Sequence, residues 1–139
     1  MALTPAQNAI LKADILADPV LNAWPNNTDG NPEIAAYAQV KGDVVWSNRR
    51  QSGFMRLAGL PANRRSAEQY QLWIVDPSRD EHPIDGGVFD VPAGVDEIVV
   101  PIDAKLPVDA PKVFALTLEQ VGGVVVSDGP LLVVAPVRT

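Results

Sequence analysis

The sequence predicts a mainly β protein, an antiparallel β-sandwich of about seven or eight strands and immunoglobulin-like, preceded by a small N-terminal α-helical segment. Three observations carry this. From residue 41 onward, short runs rich in valine, isoleucine, leucine and aromatic residues recur between turn signals, the pattern of an all-β sandwich. One of these runs, Glu68 to Asp76, is largely apolar on both alternating sets: Tyr70, Leu72 and Ile74 on one, Trp73 and Val75 with Gln71 on the other. A strand covered on both faces requires that pattern, which places it in the middle of a sheet. Residues 1–40, by contrast, carry helix starts and helical spacing. The chain therefore divides into a helical segment, 1–40, and a β-sandwich domain, 41–139.

The elements follow in order. Thr4 reads as an N-cap, Pro5 as the first helical residue and Gln7 as the far side of a capping box. Ile10, Leu11, Ile15 and Leu16 continue with helical spacing to Ala17. Asp18-Pro19 ends that helix and opens a short second one through Leu21 and Trp24. The run from Asn26 to Pro32 is a loop, and a third short helix is expected from Ile34 to Ala38. Strands are then expected at Val44–Trp46, Phe54–Ala58, the central run, Gly87–Val91, Glu97–Ile102 and Val113–Leu118. Gly122-Gly123 predicts a tight hairpin into a strand at Val124–Val126, and Leu131 to Ala135 closes the series. Pro92, Pro101, Pro107, Pro111 and Pro130 fall at strand starts, edges or connections, where a missing N–H does least harm. The expected core is Leu72, Ile74, Phe89, Phe114, Leu116 and Leu118, with Trp73.

Composition narrows the function classes. An apolar share of 47% is enough for a real core. A net charge of −6 argues against nucleic acid as a partner. The charge is uneven: residues 42–75 hold five arginines against two acids, and residues 76–139 hold four basic groups against eleven acids. There is no cysteine, so neither a disulfide framework nor thiolate chemistry is expected. No apolar run approaches the roughly 18 residues of a membrane span. Met1 leads directly into a polar helix start, which predicts no signal peptide.

Within the β part, Gly53-Phe-Met-Arg-Leu-x-Gly59-Leu-Pro61, Tyr70-Gln-Leu-Trp-Ile74 and Gly87-Val-Phe89 resemble the C-terminal domain of bacterial anti-sigma-K-type factors. Gly42-Asp-Val-Val-Trp-Ser-Asn48, Leu116-Thr-Leu-Glu119 and Gly122-Gly123 extend the resemblance over residues 42–135. It implies a non-catalytic domain outside the cytoplasmic membrane, following a membrane helix and a sigma-binding segment that this chain is expected to lack. Residues 1–40, through Leu3-Thr-Pro-Ala-Gln7, Leu16-Ala-Asp-Pro19 and Asn26-Asn-Thr-Asp-Gly30, resemble the opening of a small family of tailed-phage proteins. Together the two suggest a hybrid chain, natural or engineered.

Candidate sites are few. His82 is the single histidine, which excludes a multi-histidine metal site within one chain and, with no cysteine, a blue-copper centre. It reads as a loop residue beside acids. Asp76, Asp80, Glu81 and Asp85 form the densest carboxylate group, but their spacing matches no calcium loop, and turn acids ordinarily cap backbone N–H groups. No serine lies in a Gly-x-Ser-x-Gly elbow. Gly86-Gly87 and Gly122-Gly123 each precede a strand, not a helix N-terminus, so neither is a phosphate loop. No catalytic residue, cofactor or metal is therefore assigned.

Arg49, Arg50, Arg56, Arg64 and Arg65 form the one candidate interaction patch, suited to an acidic partner or anionic headgroups. Loose pairing of these arginines with the acid-rich second half is the simpler reading. The expected function is that of a non-catalytic interaction or sensor domain like the extracytoplasmic region of an anti-sigma factor. The alternatives are a phage-type structural or assembly protein and an engineered hybrid without native activity; a small enzyme using the loop carboxylates ranks last. The expected partner is an unidentified protein. Peripheral membrane contact is admitted, and monomer and homodimer are both left open. Localisation follows the resemblance to the extracytoplasmic side, whereas the chain as it stands, without a signal peptide, reads as cytoplasmic.

Overall fold

The run from Glu68 to Val75 is an interior strand, paired on both sides, as its double-apolar pattern predicts. The computed structural model describes residues 10–14, 37, 39–78, 82–127 and 131–138. Among them are eight strands: β1 (Ile10–Asp14), β2 (Lys41–Ser47), β3 (Ser52–Ala58), β4 (Glu68–Val75), β5 (Ile84–Phe89), β6 (Glu97–Pro101), β7 (Val113–Gln120) and β8 (Val133–Arg138). They form a continuous ladder of order β5-β4-β7-β8-β1-β2-β3-β6, antiparallel at every pairing. The ladder divides at β8, which pairs with β7 over Val133–Pro136 and with β1 at Val137 and Arg138. Two sheets result, and they close on each other as a β-sandwich.

Strand alternation explains the core. Val44 and Trp46 of β2 and Met55 and Leu57 of β3 point inward from one sheet. Tyr70, Leu72 and Ile74 of β4 with Phe114 and Leu116 of β7 point inward from the other. Trp46 meets Phe114 across the sandwich with ring centroids 6.3 Å apart. Of the expected core residues, Leu72, Ile74, Phe114 and Leu116 are buried, while Phe89 and Leu118 are half-buried against the same cluster. The far edge is bridged as well. After β6 the chain crosses between sheets, with the Ile102 N–H donating to Gly53 O and the Asp103 and Lys105 N–H groups to Gly86 O and Asp85 O, each at 2.9 Å. This segment covers the edge of β5 that would otherwise be open.

Two expected elements are corrected. The helix from Thr4 to Ala17 is not formed at Ile10–Asp14, which is a strand aligned with β2 from Ile10↔Ser47 to Asp14↔Asp43. Alanine-rich spacing is a weak local preference, and here it yields to the backbone partners on either side. Without β1, both β2 and β8 would present unpaired edges. The remainder of that helix and the second helix lie outside the described residues, as does all of the third except Tyr37. The hairpin strand at Val124–Val126 is absent, because β7 pairs with β8 and residues 121–127 run as an irregular connection.

Candidate interaction surfaces

The side of β4 that faces away from the sandwich interior is also covered. Gln71 is fully buried, and Trp73 is nearly so, donating its indole N–H to the buried hydroxyl of Thr117 at 2.8 Å. Ala115, Leu131 and Val134 form a second small core on this side. The cover is the β7–β8 connection, and two glutamines hold it. Gln69 Oε1 accepts the Gly122 N–H at 2.9 Å. Gln71 uses both ends of its amide on Val124, accepting the N–H and donating to the carbonyl, each at 2.9 Å. Gly123 between them has φ +80°, and a side chain there would collide with the Gln71 amide and with Val88. Ser127 hydrogen-bonds Glu119 and ties down the far end.

Beside this connection lies a cleft of about 500 Å³, bounded by His82 to Asp85, by Lys105 and Leu106, and by Gly122 to Val126. Ile84 is buried in it, whereas Leu106 and Val126 are about half exposed and Val125 almost completely so. Lys105 is tied to Asp103 at 2.6 Å at the rim. Apolar lining with few polar groups suits recognition of an apolar group, because little desolvation cost opposes entry.

The five arginines of the sequence patch are distributed rather than gathered. Arg49 and Arg50 are exposed in the β2–β3 turn. Arg56 stands on the outward side of β3 and pairs with Asp43, its register neighbour on β2, at 2.7 Å. Arg64 and Arg65 follow β3 in the connection to β4, pairing with Glu68 at 3.6 Å and Asp90 at 3.5 Å. β3 starts next to Arg49 and Arg50 and ends towards Arg64 and Arg65, so roughly 20 Å of strand separates the two pairs.

The carboxylate group is split too. Asp80 and Glu81 lie outside the described residues. Asp85 caps the Gly87 N–H at 2.8 Å. Asp76 is buried and accepts from the N–H groups of Ser78, Asp109 and Ala110 and from the Ser78 hydroxyl. Burial alone would raise its pKa, but the hydrogen bonds from Ser78, Asp109 and Ala110 outweigh it and hold the carboxyl below its usual range. His82 is an exposed loop residue in the wall of the cleft. Among the described residues no group of three or more His, Cys, Asp or Glu side chains could hold a metal ion.

Sequence reasoning missed the polar staples. Asn48 accepts the Trp46 indole N–H at 2.6 Å and donates to Asp109 O at 2.8 Å. Gln51, at φ 52°, donates to Val108 O and accepts from Val108 N–H. Asn63 bridges Glu68 O, Asp90 and the Val91 N–H. Tyr70 donates its hydroxyl to Pro61 O at 2.6 Å; burial, then the hydrogen bond with Tyr37, push its pKa upward. A polar residue inside an apolar run was the available signal at Gln71. Its partner, distant in the chain, was not.

Geometry of this kind defines a two-sheet β domain with stapled connections and an apolar cleft. The family described as anti-sigma-K factor rskA, C-terminal, matches residues 2–131, and the chain belongs to it. That family is the C-terminal domain of membrane anti-sigma factors and is often extracytoplasmic. No curated protein and no solved structure gives a match. The resemblance of residues 1–40 to a phage family finds no support, and the anti-sigma-K family match runs through them from residue 2. Among the described residues no helix is long and apolar enough to cross a membrane.

Proposed function

We infer that the chain is a non-catalytic recognition domain of an anti-sigma factor, held outside the cytoplasmic membrane, and that it receives a protein partner in the cleft beside β5. The observation that carries this reading is how the cleft wall is built. The Gly122 N–H is satisfied by Gln69 and both Val124 backbone groups by Gln71, so the wall is fixed before any partner arrives. The adjoining side chains of Val125, Val126 and Leu106 are left towards solvent. A fixed wall with exposed apolar side chains is the arrangement in which a partner's apolar anchor contributes most, because little ordering entropy opposes binding. The partner that fits is a protein segment offering one or two apolar side chains. Family membership supports the protein partner and the extracytoplasmic side.

The test uses the full-length factor in cells carrying a reporter for its sigma factor. Val125→Asp and Leu106→Asp place charge in the cleft at exposed positions and are expected to change reporter output while the domain keeps its melting temperature. Unchanged output from both folded variants would sink the assignment of the cleft.

A further inference from the structure

We propose that the outward side of β2, β3 and β6, with the turn joining β2 to β3, docks on an anionic bilayer surface. Val45, Phe54 and Val99 lie on three adjacent strands and are 40%, 58% and 60% exposed. Val45 stands directly opposite Phe54, and Phe54 directly opposite Pro101, so apolar groups form a row across the sheet; Val99 stands in the next row, opposite Arg56, whose charge is met by Asp43. Scattered exposed apolar residues need no explanation; a contiguous face does. At the end of that face the turn carries Arg49 and Arg50. Both are exposed, and neither makes an ion pair with a described residue, whereas Arg56, Arg64 and Arg65 each have an acid. A hollow of about 400 Å³ joins the two features, bounded by Val45 and Phe54, by Ser47 and Ser52, and by the two arginines.

Charge complementarity chooses the occupant. The chain carries a net charge of −6, so most of its surface is repelled by an anionic layer. Among the described residues, the unpaired arginines beside an apolar face stand here, which fixes both the site of contact and the orientation. An apolar surface at acyl depth with guanidinium groups at headgroup level is the physical form of interfacial binding. An acidic peptide would satisfy the arginines but leave Val99, two strands away from β2, uncovered. This proposal is independent of the cleft beside β5.

The experiment is co-sedimentation of the full chain with two kinds of vesicle, phosphatidylcholine alone and phosphatidylcholine containing about one third phosphatidylglycerol, a composition that sets a negative surface potential. Binding is expected to the anionic vesicles and to weaken several-fold in high salt, where screening shortens the reach of charge to about 3 Å at 1 M. Arg49→Ala with Arg50→Ala should lower the bound-to-free ratio by about thirtyfold. Arg49→Lys with Arg50→Lys should retain binding, and Phe54→Ser should weaken it several-fold. Equal binding to neutral vesicles, or full binding by the alanine pair, overturns the proposal. So does complete competition by inorganic phosphate, which would mark a small-anion site. A dimer that Phe54→Ser abolishes, with no vesicle binding by the parent chain, also overturns it and assigns the face to a second copy. Thermal unfolding recorded for each variant separates loss of binding from loss of fold.

Discussion

Gln71 and Val124 hold each other through both ends of one side-chain amide, at 2.9 Å in each direction, although 53 residues separate them in sequence. A buried glutamine in the central strand thus replaces the backbone partner that the β7–β8 connection lacks. Satisfying two backbone groups with one side chain is what allows an irregular segment to lie over the sheet without orphaned polar atoms.

Replacing Gln71 by leucine removes both bonds and leaves the two Val124 backbone groups without this partner. Loss of a buried hydrogen-bonding partner costs about 1–3 kcal/mol. Urea denaturation should show a loss in that range, and amide exchange at Val124 should accelerate before exchange in β4 does. A midpoint equal to that of the parent chain would show that the connection is held by other contacts.

Leu72 is 1% exposed and Phe54 is 58% exposed, though each stands on a regular strand. Leu72→Ala should cost about 2–5 kcal/mol, because it removes buried methyl groups and leaves a cavity. Phe54→Ser should fall within about 0.5 kcal/mol, the ordinary range for surface changes. Chemical denaturation of the two variants checks the pair, and similar losses from both would contradict the assigned faces.

Periodicity alone places β4, because covering both faces of one strand needs the pattern that Tyr70 to Ile74 displays. Tyr70, Gln71, Leu72, Trp73 and Ile74 are indeed all buried. The misreadings share a physical cause, namely that local preference competes with long-range pairing. Ile10 to Asp14 carry helical spacing, yet β2 and β8 supply backbone partners that spacing cannot reveal. Val124 to Val126 have strong strand preference, but Gly122 and Gly123 at positive φ redirect the chain over the outer side of β4. The arginine patch shows the same limit. Composition groups five residues that the structure spreads along β3 and beyond both of its ends.

Gly123 and Gly94 separate backbone strain from collision. Their φ values are nearly equal, +80° and +79°, so alanine is conformationally disfavoured at both. At Gly94 an added Cβ meets nothing within 4 Å, whereas at Gly123 it lies 2.8 Å from both Gln71 Oε1 and Val88 Cγ1. Gly94→Ala should therefore cost about 1 kcal/mol, the scale of an unfavourable φ alone. Gly123→Ala should cost more, since the amide it displaces is already committed to Val124. Thermal unfolding compares them directly, and a larger loss at Gly94 would contradict the geometry of the connection.

Asp76 ties the end of β4 to the segment before β7, through the Asp109 and Ala110 N–H groups, and it predicts how stability depends on pH. Its folded pKa is lowered, the bonds to its carboxylate exceeding the opposing effect of burial. The folded chain therefore binds fewer protons at this site than the unfolded chain does. The stability it contributes is fully present above the unfolded carboxylate value, about 3.9, and drains as pH falls through the lower folded value. Asp76→Asn keeps the size but removes the charge, and its amide turns a donor towards a group of N–H donors. The variant should be less stable at neutral pH. Its urea midpoint should then decline less than that of the parent chain as pH is lowered from about 4 towards 2. Midpoints measured across that range provide the check. Curves that run parallel through the whole acid limb would show that other carboxylates govern acid unfolding and that the Asp76 bonds add no charge-dependent stability.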